Sequence, residues 1–596
     1  MTDELDARAR LGESPRWVAA ARLAIGLAQG LVLYLIVRDL TQSEETWLKS
    51  RPGLLAPLLL TSAYLPVVAL AGLGRIRSTT LAAWLAAAGA LVWMMAWWLV
   101  ERSRAAGPDL LPGGEAAVFL VIPFAAVALF IGHNLVAAAD RARRPVAPYP
   151  DYFDLAWKHG VQLALSLAFT GSVWLLLGLG TALFSIIGLS FLQKLVVQPW
   201  FSLPVTTLAF ALAVQLTDVR DGLIRGVRAV ALMLLSWLLI LMTVLAAGFV
   251  IALPFTGLDG LWETGSATAL VLFAAASLIV LINAAYQDGR EENRPPVVLR
   301  WTVRVAAGLL TPLALIAVWG LALRIGQHGL TPDRIIAAAC ALLGAVYAGG
   351  YLLAAARPGP WMRTLEPTNV LNAAVAFSLI ALLSSPILDP TRLSVADQVA
   401  RLERGAVAPA RFDFSFLRWQ GGKAGDAALK RLARSSNPEI ANRARTALTE
   451  IDSFGERRRE RPAELTLTPF PADAPVPEEF LTQARGLRDL LHACADDGGC
   501  LVQPLDLDAS GDDEMLVVSH GQVKVFNREA DGRWIEWAEY WVSDCGAEPS
   551  DAREVVRSGR LRTAPPAFPD LEVGGRRLRT QEGAPECPAP ALPAPR

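Results

Sequence analysis

The sequence predicts an all-α polytopic membrane bundle of about eleven transmembrane helices, followed by a C-terminal α+β soluble periplasmic domain. Three observations carry this. Apolar blocks of about twenty residues, the length that crosses about 30 Å of hydrocarbon, recur between short charged loops as far as Pro390. The mean hydropathy of +0.38, with 53% apolar and 19% charged residues, is high for a water-soluble chain of 596 residues. Beyond Thr391 the composition returns to that of an ordinary soluble domain.

Residues 1–16 are mixed in charge, and no small-residue cleavage site follows the first apolar block, which therefore reads as a span and not as a removed signal peptide. The blocks run Trp17–Val37, Leu54–Leu73, Leu81–Val100, Ala116–Ala139, Val161–Gly180, Trp200–Leu216, Ala229–Phe255, Ala267–Tyr286, Val303–Leu323, Ile335–Ala355 and Val370–Leu388. Thr181–Val197 either extends the fifth span or dips into the membrane. Asn372, Ser384, Ser385 and Pro386 interrupt the last, so counts of ten and twelve stay open.

An inside N-terminus puts eighteen basic residues in cytoplasmic segments, from Arg8, Arg10 and Arg16 through Arg357 and Arg363. The opposite loops then hold eight: Arg38, Lys49, Arg51, Arg102, Arg104, Lys194, Arg324 and Arg334. The positive-inside rule selects this orientation in a bacterial inner membrane, and an odd span count then places the tail outside. Cysteine placement is a separate indication. Cys340 lies in a span, whereas Cys494, Cys500, Cys545 and Cys587 all fall in the tail, as disulfides made in an oxidising compartment would. Pairing Cys494 with Cys500 leaves Cys545 for Cys587. The other two connectivities, free thiols and a metal site remain alternatives, the last without any CxxC spacing.

The tail divides into a helical periplasmic segment (391–453), a charged, proline-rich linker (454–478) and an α+β domain (479–596). In the first part, Ala428, Leu429 and Leu432 share one helix face, and Asn437 with Pro438 cap the next helix. In the last, Asp506, Asp508, Ser510, Gly511, Asp512 and Glu514 reproduce the spacing of a calcium loop with glycine at the tight turn. Strands over Met515–Val518, Val523–Phe526 and Trp534–Val542 follow, joined by turns at His520–Gly521 and Asp531–Gly532. Over about thirty-five residues this resembles the calcium-loop-plus-strand repeat of integrin-like propellers, in a single copy and with serine at the fifth ligand position. The competing reading is an acidic hairpin turn without calcium.

Polar residues inside spans are functional suspects because their burial is costly. His133 and Asn134 in the fourth span, Gln215 in the sixth and Asn283 in the eighth qualify. Arg22, near the cytoplasmic end of the first span, is expected to snorkel to the interface. In RARRPVAPYPDYFDLAWKHG, Arg141, Arg143 and Arg144 suit anionic lipid headgroups, and Asp154 with Lys158 has the spacing of an i,i+4 pair. A site for a phosphorylated ligand is the alternative. No phosphate loop, dinucleotide fingerprint, nucleophile elbow or HExxH is present, and the basic residues form no nucleic-acid-binding stripe.

The stretch SWLLILMTVLAAGFVIALPFTGLDGLWETGSATAL followed by LINAAYQDG resembles a family of bacterial inner-membrane proteins, domain of unknown function 4153. The resemblance covers roughly Val18 to Pro386 and extends to the RFDFSFLRW segment. It implies a membrane location and no established activity, so no catalytic residue carries over. Three function classes follow from the residues. The first is a non-enzymatic envelope protein whose tail senses or binds a periplasmic partner. The second is a transporter or channel, for which inverted repeats and coupling carboxylates are missing. The third is a membrane-embedded transferase using His133 or the Asp151–His159 segment.

Overall fold

The computed structural model describes residues 15–42, 46–48, 50–103, 115–219, 221–257, 267–358, 360–449, 467–485, 490, 494, 499–507, 510–519, 522–529, 532–541, 551–559, 561, 571–573 and 576–578. The chain forms two compact units, Met1–Leu448 and Thr449–Arg596.

The first unit is helical. Its elements are α1 (Arg16–Thr41), α2 (Pro52–Gly72), α3 (Ser78–Ser103), α4 (Glu115–Ala142), α5 (Tyr149–Ile186), the short α6 (Phe191–Val196), α7 (Pro199–Val219) and α8 (Asp221–Thr256). They continue as α9 (Ala267–Tyr286), α10 (Val297–His328), α11 (Pro332–Ala356), α12 (Leu365–Leu383), α13 (Pro390–Glu403), α14 (Gly422–Leu432) and α15 (Pro438–Thr449). Among the described residues, eleven helices are long and apolar enough to cross a membrane, all of α1–α12 except α6. Thr181–Val197 both extends α5 as far as Ile186 and forms α6. The last span starts and ends earlier than its apolar block, because Ser384 and Ser385 form its terminal turn, with Ser385 Oγ donating to Leu382 O at 2.7 Å.

Two large cores hold the spanning helices together. One joins α2, α3 and α4 through Val68, Trp84, Met95 and Leu129, with Phe377 of α12 packed against it. The other joins α5 and α8–α12 through Phe153, Leu239, Ile282, Leu310 and Tyr351. The outer surface is apolar too: Trp237, Leu241, Val244 and Leu245 of α8 are all more than half exposed. Water would penalise such a surface at about 25 cal/mol per Å², whereas lipid chains do not.

Close contact between α1 and α7 depends on Gly26 and Gly30. A Cβ at Gly26 would come within 2.5 Å of Ala211 Cβ, and one at Gly30 would overlap the Pro204 backbone. The Gly-xxx-Gly spacing of GLAQG is the sequence signal for this approach.

Beyond the last span, α13 packs on the turn between α10 and α11. Asp397 accepts from Leu330 N at 2.7 Å, Arg401 donates to Gly326 O and Gln327 O, and Gln398 donates to His328 O. Asp389 pairs with Arg102 at 2.9 Å, and Lys423 pairs with Glu101. The α14–α15 pair has its expected form: Ala428, Leu429 and Leu432 are buried, and Asn437 Oδ1 caps α15 by accepting from Glu439 N at 3.0 Å.

The second unit is built on a five-stranded sheet in sequential order. β1 (Leu467–Pro469) is parallel to β2 (Cys500–Leu505), and β3 (Glu514–Val518), β4 (Gln522–Arg528) and β5 (Trp534–Trp541) follow as an antiparallel meander. β1 lies within the segment expected to be linker. Val502, Met515, Val517 and Phe526 pack with Phe480 and Ala484 of α16 (Glu478–Arg485). Leu501, Leu516, Val518 and Val525 pack with Ala552 and Val556 of α17 (Ala552–Arg557). Cover on both faces explains why MLVV, Met515 to Val518, reads as an unbroken apolar run. Burial disfavours the Lys524 ammonium on β4, but hydrogen bonds and charge from Glu536 and Glu539 outweigh it and hold its pKa above the ordinary lysine value.

Candidate ligand site within the membrane unit

His133 and Asn134, neighbours on α4, meet His159 of α5. Asn134 Nδ2 donates to Phe130 O at 2.8 Å, which turns its Oδ1 toward His159 Nδ1, 2.8 Å away. That oxygen can only accept, so the proton of neutral His159 is assigned to Nδ1 and its Nε2 is an acceptor. The two imidazoles meet edge to face with centroids 5.0 Å apart. His133 is 5% exposed, and neither of its ring nitrogens has a hydrogen-bond partner among the described residues.

Both histidines line a cavity of about 410 Å³ between α1, α2, α4, α5 and α7. Along α5 it extends from His159 to Thr170, eleven residues, or roughly 16 Å at ~1.5 Å per residue. That is about half the ~30 Å hydrocarbon thickness, the depth of one leaflet. Its walls are mainly Ala, Val, Leu and Phe. Six of the polar lining residues donate hydrogen bonds within the protein. Gln29 Nε2 donates to Ala63 O at 2.8 Å, Tyr64 Oη to Ile122 O at 2.8 Å, and Gln162 Nε2 to Val214 O at 3.1 Å. Thr170, Thr206 and Thr207 donate to carbonyls one turn back.

A buried ion cluster adjoins the histidine end. Arg22 is 1% exposed and does not snorkel: its Nη2 lies 2.9 Å from Asp218 Oδ2, and its Nη1 donates to Gln215 Oε1 at 2.8 Å. Arg75 also pairs with Asp218 at 2.9 Å, and Lys158 does so at 3.5 Å. The expected pair of Lys158 with Asp154 is replaced. Asp154 faces α8 and binds Arg228 at 2.7 Å, while the more deeply buried Asp218 draws the lysine. Asp218 was missed because it sits at the end of its apolar block. The signal for it was Arg22 itself, since an arginine inside a span requires a carboxylate or carbonyl partner.

Asn283 belongs to a separate network. Its Nδ2 donates to Tyr351 Oη at 2.7 Å, Tyr351 Oη donates to Asn369 Oδ1 at 2.7 Å, and Asn369 Nδ2 donates to Asn283 Oδ1 at 2.6 Å, closing a ring. Of the four intramembrane candidates, His133 and Asn134 therefore share one site, whereas Gln215 and Asn283 serve others.

In the second unit Cys494 and Cys500 form a disulfide, while Cys545 and Cys587 lie outside the described residues. In the acidic loop, Asp506 accepts from Ser510 N at 3.1 Å and Gly511 N at 3.0 Å, and Glu514 accepts from Leu507 N at 2.8 Å. Asp512 N points to Ser510 Oγ at 3.4 Å, and Asp508 is not among the described residues. Among those residues no group of three or more His, Cys, Asp or Glu side chains is placed to hold a metal ion.

Spanning helices packed around buried polar clusters define a polytopic integral membrane protein. The chain belongs to the family of the Domain of unknown function (DUF4153), which matches residues 60–432. The match begins within α2 and ends with α14, so it takes in RFDFSFLRW and leaves out α1. No curated protein and no solved structure matches the chain.

Proposed function

We propose that this protein holds an amphiphile in the cavity of its membrane unit: one long apolar chain along α5, with a hydrogen-bonding end group at His133. The observation that carries the reading is that His133 lines this apolar cavity while neither of its ring nitrogens has a hydrogen-bond partner among the described residues. An unsatisfied buried polar group costs about 1–3 kcal/mol, which a ligand hydrogen bond offsets. The volume lies in the lower part of the ~300–1,000 Å³ range of small-molecule sites, which suits one chain better than two.

The membrane is a bacterial inner membrane in this reading, with the N-terminus cytoplasmic and the C-terminal unit periplasmic. The eighteen-to-eight basic bias, the odd number of spans and the Cys494–Cys500 disulfide support that orientation. The exported unit is then the surface for a periplasmic partner. Trp537 and Tyr540, each more than half exposed on β5, favour this second role.

The test is to purify the full chain in mild detergent and compare its bound lipids with those of Val67→Phe, which fills the cavity wall. Loss of one amphiphile species from the variant is expected. Identical lipid profiles would remove the proposal.

A further inference from the structure

A second pocket lies where α10 ends and α11 begins. On α10, Leu315, Trp319 and Leu323 form one exposed stripe at i, i+4 and i+8, with exposures of 64%, 48% and 40%. This stripe faces lipid, and its Trp is placed as interfacial tryptophans are. Immediately beyond it, Arg324, Gln327 and His328, together with Arg334 from the first turn of α11, enclose about 460 Å³ with Gly320 and Leu323.

Charge in this pocket is concentrated by the fold. Arg334 is held at the helix start, its backbone N–H capped by Thr331 Oγ1 and its Nη1 donating to Gly329 O at 2.7 Å. It lies within electrostatic reach of Arg324 and Arg401, with Asp333 as the opposing charge. Asp397 of α13 accepts from Leu330 N. The carbonyls that end α10 are taken by Arg401, Gln398 and Arg334, so cations and not bare carbonyls set the potential here.

We propose that this pocket seats the phosphate headgroup of an anionic phospholipid, one of whose acyl chains lies along Leu315, Trp319 and Leu323. A lipid is the occupant because the cations stand directly above a lipid-facing apolar stripe, the arrangement in which headgroup and chain are recognised together. In the orientation proposed above, this lipid belongs to the outer leaflet. The site itself does not depend on the amphiphile cavity.

The test uses the full chain in mixed micelles of phosphatidylglycerol and phosphatidylcholine, with retained lipid counted by native mass spectrometry during delipidation. Wild type is expected to keep phosphatidylglycerol after phosphatidylcholine is gone, and R324Q/R334Q to retain it at least about fivefold less. R324K/R334K, which keeps both charges, and R357Q, which removes a cation at the other end of α11, should behave as wild type. Equal retention by R324Q/R334Q and wild type overturns the proposal. Displacement of the lipid by millimolar inorganic phosphate also overturns it, because the pocket would then be a free-anion site.

Discussion

Two of the buried polar sites of the membrane unit differ in one respect. Around Asn283, Asn369 and Tyr351, each donor in the ring meets an acceptor of the same ring. Around His133 and His159, His133 lines a cavity and its buried ring nitrogens have no hydrogen-bond partner among the described residues. A closed polar network fixes one packing of helices, whereas an open one is suited to a ligand. Polar residues within a span therefore say little about function until their partners are counted.

The largest expected effect concerns the charged neighbour of the open site. Asp218→Ala leaves Arg22 buried without its carboxylate and should cost about 3–5 kcal/mol. The readout is a marked fall in the thermal unfolding midpoint in detergent, largely reversed by the double change R22M/D218L. Unchanged melting of Asp218→Ala would mean that the cluster is wet and its charges weakly coupled.

Asn283→Leu tests the closed site. Tyr351 and Asn369 each lose a partner, for an expected loss of about 1–3 kcal/mol in the same melting experiment with no change in bound lipid. His133→Phe gives the opposite pattern. It removes nitrogens that have no partner among the described residues, so melting should shift by less than about 1 kcal/mol while the co-purified amphiphile falls. If both variants behave alike, the distinction between the sites fails.

The smallest effect belongs to the acidic loop of the second unit, where the carboxylates of Asp506 and Glu514 already accept backbone hydrogen bonds. Millimolar calcium should leave the melting of the full chain unchanged. A rise would mean that the ion replaces those bonds and that the loop is a metal site.

Eleven spans, the β3–β5 strands and the Asn437 cap were legible in the sequence, because each depends on residues close together in the chain. What was not legible depends on distant pairs. Arg22 and Asp218 are separated by 196 positions, and hydropathy read over twenty residues treats one as an interface residue and the other as a loop residue. Lys158 was assigned to Asp154 because the local spacing suited a helix pair, while the three-dimensional competitor came from α7. His133 was legible as a candidate, but His159 was placed in a cytoplasmic segment. Only the packing of α4 against α5 makes them a pair.

The separation of Arg22 from Asp218 also bears on how the protein is made. At ~5–20 residues per second, roughly 10–40 s of synthesis pass between the two. During that time α1 has left the ribosome, while the helix that accommodates Gly26 and Gly30 does not yet exist. Until α7 is made, Arg22 can reach Leu73 O but lacks Gln215 and Asp218, and Gly26 and Gly30 lack the helix they pack against. Assembly of this half of the bundle is timed by its seventh helix and not by its first.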